Sequence, residues 1–222
     1  MSGNLIRIVI SLVLVAVTTF LGYWLVLDER KHSQAIAYNE SGNVLSELKR
    51  HDEAIEHYQQ AIKIKSNFAE AYNNLANALG KEGKLKESIA YYNEAIRFKS
   101  DYAEAHFNLG VALGRQSRSK EAIVQYRQAL QIKPDFAWAH NNLAILLGQR
   151  GDFVGAISHY QQAITFDSGF AKAHNNLGST LAQQGKFKEA TAHFEKAINI
   201  DPNYVDARIN LELARSLVDK KS

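Results

Sequence analysis

The strongest constraint on this chain is a sequence repeat with a period of 34 residues. The pentapeptide AHNNL occupies residues 139–143 and again residues 173–177, and the related AHFNL and AYNNL begin at Ala105 and Ala71 on the same grid. Periods of this length are typical of solenoid proteins, in which each repeat is one supersecondary unit that packs on its neighbours. The period divides most of the chain into five full rows and a partial sixth from Tyr204, with the rows at 34–67, 68–101, 102–135, 136–169 and 170–203.

Two columns of the repeat indicate that each row folds as a pair of antiparallel helices. An aromatic residue recurs in one column and alanine recurs three residues later, and large side chains facing small ones at a fixed offset let two helices approach closely. The members of these columns are Tyr58, Tyr92, Tyr126, Tyr160 and Phe194, and Ala61, Ala95, Ala129, Ala163 and Ala197. Stretches such as GKEGK and GQRGD supply a turn in mid-row, and Pro134 and Pro202 mark where a second helix ends. The sequence therefore predicts an all-α chain of helix-turn-helix units.

Two rows carry the small, aromatic and proline residues of a known repeat. The rows AEAHFNLGVALGRQSRSKEAIVQYRQALQIKPD and AKAHNNLGSTLAQQGKFKEATAHFEKAINIDPN resemble the tetratricopeptide repeat (TPR). The resemblance implies a right-handed solenoid of five repeats over residues 34–203. Residues 204–222 are predicted to form a capping helix and tail, with charged residues on one face that solvate the end. The departures are minor: Ser41 takes the leucine position of the first row, and serine replaces the terminal proline at Ser66, Ser100 and Ser168.

The N-terminal region predicts a membrane anchor. Residues 8–27, IVISLVLVAVTTFLGYWLVL, contain no charged residue. Twenty helical residues extend about 30 Å, which is enough to cross the hydrocarbon core of a bilayer. A cleaved signal peptide is the alternative, but such a peptide ends in small residues, whereas Tyr23 and Trp24 lead directly into DERKH. We therefore expect one transmembrane helix.

This span sets the boundaries and the orientation of the N-terminal region. It is preceded by a short segment at 1–7 and is joined to the first repeat by a linker at 28–33. Arg7 precedes the span, while Arg30 and Lys31 follow it. Because positively charged residues concentrate on the cytoplasmic side, this count favours a cytoplasmic repeat domain.

Composition and motifs exclude several classes of function. The chain has 26 Lys and Arg against 23 Asp and Glu, spread along its length, so no basic stripe is present for nucleic acid. It contains no cysteine, which excludes disulfides, thiol catalysis and cysteine metal sites. It has no phosphate-binding loop, serine nucleophile elbow or HExxH motif, and its carboxylates follow the repeat register. We therefore expect a protein that is not an enzyme and binds no cofactor.

Histidine recurs in two columns, and we interpret both as structural. The columns are His106, His140 and His174 in the first helices, and His57, His159 and His193 in the second helices. The first column falls in the packing stripe, and stacked repeats are expected to keep its members apart with no carboxylate column converging on them. No metal site is therefore expected.

Asparagine also recurs, on the opposite side of the first helices. The column consists of Asn74, Asn108, Asn142, Asn176 and Asn210, and we call it the asparagine ladder. Asparagine is a mediocre helix former, so nothing local favours it there. In a solenoid this side lines the concave wall, where amides can bind the backbone of an extended peptide. The ladder is similar to that of O-linked N-acetylglucosamine transferase, a resemblance that implies a grip on a ligand's main chain. The alternative is that the amides bridge neighbouring repeats, and the two roles are compatible.

An apolar patch interrupts the polar wall in the middle rows. It consists of Phe107 and Val111 from row three and Trp138 and Ile145 from row four. The corresponding positions of other rows are mostly polar, and we include four of them in the predicted groove: Asn73, Asn141, Asn175 and Lys172. A tryptophan in an otherwise charged column is predicted to anchor a ligand. The alternative for Trp138 is contact with an adjoining helix or with the membrane surface.

These features predict a membrane-tethered scaffold that binds proteins, as an extended peptide or a helix in the concave groove. By analogy with short anchored TPR proteins, we expect an assembly or stability factor for a membrane protein complex. A permanent structural subunit of such a complex is an alternative that the sequence leaves open, and enzymatic activity is the disfavoured one. A helix of a second copy in the groove would make a homo-oligomer, which the sequence also leaves open.

Overall fold

The computed structural model describes the backbone of residues 2–219 and the side chains of residues 17–218. Within these residues all regular secondary structure is α-helical, the helices are joined by short turns, and no strand is present. The eleven helices are α1 (Ser2–Glu47), α2 (His51–Ile64), α3 (Ala69–Lys81), α4 (Leu85–Phe98), α5 (Ala103–Arg115), α6 (Ser119–Ile132), α7 (Ala137–Gln149), α8 (Phe153–Phe166), α9 (Ala171–Gln183), α10 (Phe187–Ile200) and α11 (Val205–Asp219). The predicted all-α class of paired helices is confirmed.

Each helix pair is joined by the same tight turn. One residue of every turn lies in the left-handed region, with φ between 60° and 82°, at positions that repeat every 34 residues. Three of these residues are glycine, and the other two are Lys49 and Ser117. The amide after this residue returns to a carbonyl of the preceding helix, as in the 2.9 Å bond from Lys84 to Leu79. This is the usual glycine-type C-terminal cap of a helix, and it forms even where glycine is replaced.

The helices group into two compact units, Met1–Phe98 and Lys99–Ser222. In unit 1, α2 packs on α1 and α3, and α4 packs on α3. Its core contains the fully buried Ala54, Tyr58 and Leu75, and Phe68 packs among small residues of the neighbouring helices. Large side chains pack against small ones here, but the Tyr58 ring lies against Gly42 of the first helix, where a Cβ would be 2.6 Å from the ring, and not against the predicted alanine column. Ala61 of that column packs with Phe68 instead.

Unit 2 repeats this packing from α5 to α11, each helix lying against the next. The leucine column is buried throughout, at Leu109, Leu143, Leu177 and Leu211. A Cβ at Gly110 would lie 2.6 Å from the Tyr126 ring, and one at Gly178 would lie 2.7 Å from the Phe194 ring. The small residue in the first helix thus lets the aromatic ring of the second helix lie against its backbone.

Helix α1 is continuous from Ser2 to Glu47. The predicted linker at 28–33 is therefore helical, and the first repeat helix continues directly from the segment that we predict to be the anchor. Side chains from Val17 to Leu27 are exposed, while those of residues 8–16, the first part of the predicted span, lie outside the described side chains. Among the residues that the structure describes, no helix has an apolar stretch long enough to cross a membrane.

The last helix differs in part from the predicted solvating cap. Charged residues are exposed on α11, as expected, but Val205, Ile209 and Leu213 are exposed as well, by 60%, 58% and 59%. On the opposite side, Ala207 and Ala214 are buried against the preceding helices. The end of unit 2 therefore presents an apolar surface among its charges.

Candidate binding groove

The asparagine ladder of unit 2 is held together by hydrogen bonds between neighbouring repeats. Asn176 Nδ2 donates to Asn141 Oδ1 at 3.1 Å, and Asn210 Nδ2 donates to Asn175 Oδ1 at 3.0 Å. Asn141 Nδ2 in turn donates to Asn142 Oδ1 at 3.0 Å. The amides therefore bridge successive first helices, which is the structural role that the sequence left open.

Unit 1 contains the same arrangement. Asn74 Nδ2 lies 3.1 Å from both Asn39 Oδ1 and Asn43 Oδ1, and Asn73 Nδ2 donates to Asn74 Oδ1 at 3.3 Å. The ladder residue receives a bond from its neighbour in the chain and reaches back to the preceding first helix. The asparagine that directly precedes a ladder residue in the sequence, such as Asn73 before Asn74, thus holds the ladder amide in place.

Burial separates these two asparagine columns. The supporting residues Asn73, Asn141 and Asn175 are only 5%, 1% and 7% exposed, whereas the five ladder residues are half-buried. A ligand on the surface would contact the ladder, and the supporting amides lie beneath it. Sequence reasoning placed both columns on the wall, because a helical wheel does not reveal how closely the next repeat covers each position.

The predicted aromatic anchors are packed to different degrees. Phe107 is half-buried, with its ring centroid 4.8 Å from that of Phe136 and 5.9 Å from that of Tyr126. Trp138 is 48% exposed and lies 4.4 Å from the Phe170 ring. The contact of Trp138 with an adjoining segment, the alternative considered above, is therefore present, while about half of the side chain stays accessible. Val111 is half-buried.

A first cavity of about 280 Å³ lies in unit 2, where α7 and α9 meet over the side chain of Tyr160. Its lining consists of Ile145, Gly148, Gln149, Tyr160, Asn176, Ser179, Thr180 and Gln183. Two predicted groove residues, Ile145 and Asn176, contribute to it. No charged side chain lines it, and the polar groups are amides and hydroxyls, which can both donate and accept hydrogen bonds.

A second cavity of about 280 Å³ follows toward the C-terminal end. It is lined by Ser179, Ala182, Gln183, Phe187, Phe194, Asn210, Leu213, Ala214 and Leu217. It contains the predicted ladder residue Asn210 and is mainly apolar. Because Ser179 and Gln183 line both cavities, the two form one continuous surface, which we call the unit 2 groove.

Several groove residues were not found by sequence reasoning. Ser179 and Thr180 are polar, whereas the positions one repeat earlier are the apolar Ile145 and Leu146. That change of residue type is the signal that could have identified them. Of the predicted groove residues, only Ile145, Asn176 and Asn210 line these two cavities, and the exposed Lys172 and Trp138 are among those that do not.

Tyrosine recurs in the second helices, and Tyr160 is the one that lines the unit 2 groove. Burial raises the pKa of Tyr160 to about 12, and hydrogen bonding with Thr180 opposes part of this effect. Burial likewise raises the pKa of Tyr126 to about 12. In repeats one and two the equivalent hydroxyls donate to asparagine, from Tyr58 to Asn43 at 2.9 Å and from Tyr92 to Asn77 at 2.5 Å.

Comparison with known families identifies the repeat. The family model of the TPR repeat matches residues 42–83, 77–117, 118–151 and 146–185, and a second tetratricopeptide-repeat model matches residues 171–204. Together these matches cover well over half of the chain. It belongs to the tetratricopeptide-repeat family. No curated protein sequence matches the chain significantly.

Several solved structures share this fold. YrrB, described as a TPR protein with an unusual peptide-binding site, is 25% identical, with a TM-score of 0.64 over 83% of this chain and 95% of that chain. MamA is 24% identical, with a TM-score of 0.66 over 72% of this chain and 94% of that chain. PilF of Pseudomonas aeruginosa is 18% identical, with a TM-score of 0.78 over 86% of this chain and 87% of that chain. The last two comparisons concern the fold alone.

The two histidine columns of this TPR protein meet within single repeats. His140 Nδ1 lies 2.9 Å from His159 Nδ1, and His174 Nδ1 lies 3.1 Å from His193 Nδ1. His140 Nε2 is 2.9 Å from the carbonyl oxygen of Pro134, so it carries the proton that it donates there. His140 Nδ1 is therefore the acceptor, and His159 Nδ1 donates. Among the described side chains, no group of three or more His, Cys, Asp or Glu could hold a metal ion.

These histidine pairs make acid sensitivity a testable property. Desolvation lowers the pKa of His140, His159, His174 and His193 below the ordinary value of 6.5. Near and below about pH 6.5, the unfolded chain therefore binds more protons than the folded chain. The free energy of unfolding falls as the pH is lowered through that range. This stability is present above pH 6.5 and is lost as the pH falls through the lowered pKa values. Urea denaturation between pH 7.5 and 5 measures the effect.

Repeat three provides the control for this prediction. There, the partner of histidine is an amide, and His106 Nδ1 lies 2.7 Å from Gln125 Oε1. The double variant His159→Gln, His193→Gln copies that pair and removes two titrating groups. We expect a shallower loss of stability between pH 7 and 5 than in the wild type. An unchanged slope would mean that other groups dominate the acid sensitivity.

Proposed function

We propose that this TPR protein is a membrane-tethered scaffold that binds an extended segment of a partner protein along the unit 2 groove. The observation that carries this proposal is the pair of adjoining cavities that share Ser179 and Gln183. An extended peptide advances about 3.3 Å per residue and places alternate side chains on one side. Two successive cavities of similar volume suit two such side chains.

The lining defines the chemistry of the ligand. Asn176 uses one of its two N–H groups on Asn141, which leaves a second N–H and the amide oxygen for the backbone of a peptide in the first cavity. The second cavity offers Phe187, Leu213 and Leu217 to an apolar side chain. Because neither lining includes a charged side chain, an uncharged segment with one large apolar residue fits better than an acidic or basic one. YrrB, whose description includes a peptide-binding site, supports a peptide as the ligand class.

We further propose that residues 8–27 anchor the protein in a membrane and that its partners belong to a membrane protein complex. Helix α1 has no break between that segment and the first repeat, so an inserted helix would hold the repeats close to the bilayer. Tethering raises the effective concentration of any partner in the same membrane.

We propose that the protein assists assembly of this complex and has no catalytic activity. Recovery of the protein with assembly intermediates would indicate an assembly factor, whereas recovery with the mature complex would indicate a permanent subunit.

Site-specific photocrosslinking tests the groove in intact membranes. A benzophenone amino acid in place of the exposed Gln183, which lines both cavities, is expected to capture a partner. The same probe at Gln128, an exposed position on α6, is the matched control. Adding Ser179→Phe fills both cavities, and we expect it to weaken binding by about 30-fold, since truncating or blocking an anchor costs about 2 kcal/mol.

Three results would contradict these proposals separately. Identical adducts from positions 183 and 128 would show that capture does not depend on the groove. Adducts at 183 that survive Ser179→Phe would exclude the cavities as the recognition site. Release of the full chain from membranes by alkaline carbonate would exclude the anchor without affecting the groove.

A further inference from the structure

The exposed apolar residues of α11 form one continuous stripe. At about 100° per residue, Val205, Ile209 and Leu213 fall within an arc of about 80° on the helix. The buried residues Ala207, Leu211 and Ala214 lie on the opposite side. We call the first set the α11 stripe. Contiguous exposed apolar side chains of this kind mark a contact surface more often than single exposed residues do.

The position of the stripe indicates what should cover it. In the earlier repeats of unit 2, the same side of the first helix is covered by its own second helix and, at Asn141 and Asn175, also by the next first helix. The Phe107 ring lies 5.9 Å from that of Tyr126 on α6, and Ala137 packs with Ala163 of α8. Val205 and Ile209 occupy the equivalent positions in α11, and within residues 2–219 no helix follows α11. Within the described residues the stripe lacks the second-helix contact that the equivalent positions of earlier repeats have, and an antiparallel helix would supply it.

We propose that this occupant is α11 of a second copy, in an antiparallel pair related by a two-fold axis beside residue 210. Each copy then supplies the helix that the other lacks, as an isologous contact requires. The charges beside the stripe favour this arrangement. Arg208 and Glu212 lie on the same flank, two residues before and two residues after position 210. In an antiparallel pair the same flanks face each other, so Arg208 meets Glu212 of the second copy, and the reverse contact forms symmetrically.

Neighbouring charges are compatible with this contact. Arg215 on the same flank is already paired with Glu195 of α10 at 2.7 Å. Arg208 donates one N–H to the Pro202 carbonyl, and a guanidinium keeps further donors for a carboxylate. Stable complexes bury at least about 1,200 Å² of accessible surface, and a single helix pair buries less. We therefore expect a weak dimer, which a shared membrane would reinforce. The contact does not rest on the proposed function, although it shares Leu213 with the second cavity; Val205 and Ile209 line neither cavity.

Disulfide trapping tests the register directly, because the chain has no cysteine of its own. Residue 209 is one position from the axis, so two copies of Ile209→Cys lie about 3 Å apart along the helices at 1.5 Å per residue. Residue 205 is five positions away, and two copies of Val205→Cys lie about 15 Å apart, beyond the about 7 Å limit between Cα atoms for a disulfide. The full chain in mild detergent is therefore expected to crosslink through position 209 and not through position 205.

A mixture of variants completes the design. Val205→Cys mixed with Ser216→Cys is expected to give a disulfide heterodimer, since position 216 lies on the stripe side and only one residue, about 1.5 Å, from the level of position 205 across the axis. Val124→Cys on α6 has a similar exposure of 51% at the native side chain, and it controls for random collision. Equal crosslinking at 205 and 209, crosslinking at 124, or no dimer at 209 would each overturn the proposal.

The charge pattern gives a second, independent measurement. Glu212→Arg faces Arg208 with a like charge twice per dimer, and we expect it to weaken self-association by about 10-fold. The double variant Arg208→Glu, Glu212→Arg restores opposite charges and is expected to recover most of the affinity. Sedimentation equilibrium of the full chain in detergent provides the dissociation constants. Equal affinity for the wild type and the single variant would overturn the proposed two-fold register.

Discussion

Replacing Phe194 with alanine is expected to lower the free energy of unfolding by about 3–5 kcal/mol, the usual cost of removing a buried aromatic side chain. The side chain is 1% exposed, and its ring fits against the backbone of α9 at Gly178. Deletion leaves a cavity between α9 and α10 that the close packing of the helix pair cannot collapse. Urea denaturation of the full chain, followed by circular dichroism, measures the loss.

Leu213 provides the control for this prediction. It lines the same second cavity as Phe194 but is 59% exposed, and Leu213→Ala is expected to change stability by no more than about 0.5 kcal/mol. Because repeats contact only their neighbours, the damage from Phe194→Ala should remain local. Hydrogen exchange is expected to accelerate in α9, α10 and α11 more than in α5. Equal destabilisation by the two variants would contradict the assignment of Phe194 to the core.

Much of the fold could be predicted because the repeat reports helix packing directly. The aromatic and alanine columns predict that paired helices approach closely, and the structure shows such an approach, although the small residue against Tyr126 is Gly110 of the first helix and not an alanine of the predicted column. The turn forms regardless of residue type, since Ser117 adopts a left-handed φ of 61° where three other repeats have glycine. Packing at fixed offsets therefore constrains the chain more strongly than any single residue type does.

The site was less predictable, because it depends on distances between helices rather than on periodicity within one. His140 and His159 are 19 residues apart in sequence, and only the register of the helix pair brings their Nδ1 atoms to 2.9 Å. The same limit applies to Asn141 and Asn142, which are adjacent in sequence but differ in burial because the next repeat covers only one of them. The cavities form where Ser179 and Thr180 leave space, which a column of residue types does not measure.

Replacing Asn141 with leucine is expected to cost about 2–3 kcal/mol, because it leaves two polar groups without partners. Asn176 Nδ2 would lose its acceptor, and Asn142 Oδ1 would lose its donor. The substitution is similar in size, and leucine forms helices well, so backbone propensity and volume contribute little. The exposed Asn203→Leu is the matched control, with an expected change below about 0.5 kcal/mol.

A double variant separates a true hydrogen-bonded ladder from simple crowding. If Asn176 matters mainly as the partner of Asn141, then Asn141→Leu, Asn176→Leu should be less destabilising than the sum of the two single variants, because no unpaired donor remains on Asn176. Strict additivity would mean that the two amides do not act together. The same variants test the groove, since Asn141 orients the Asn176 amide that we propose binds a peptide backbone. Where Asn141→Leu remains folded, capture by the probe at position 183 should still fall, and unchanged capture would separate the ladder from recognition.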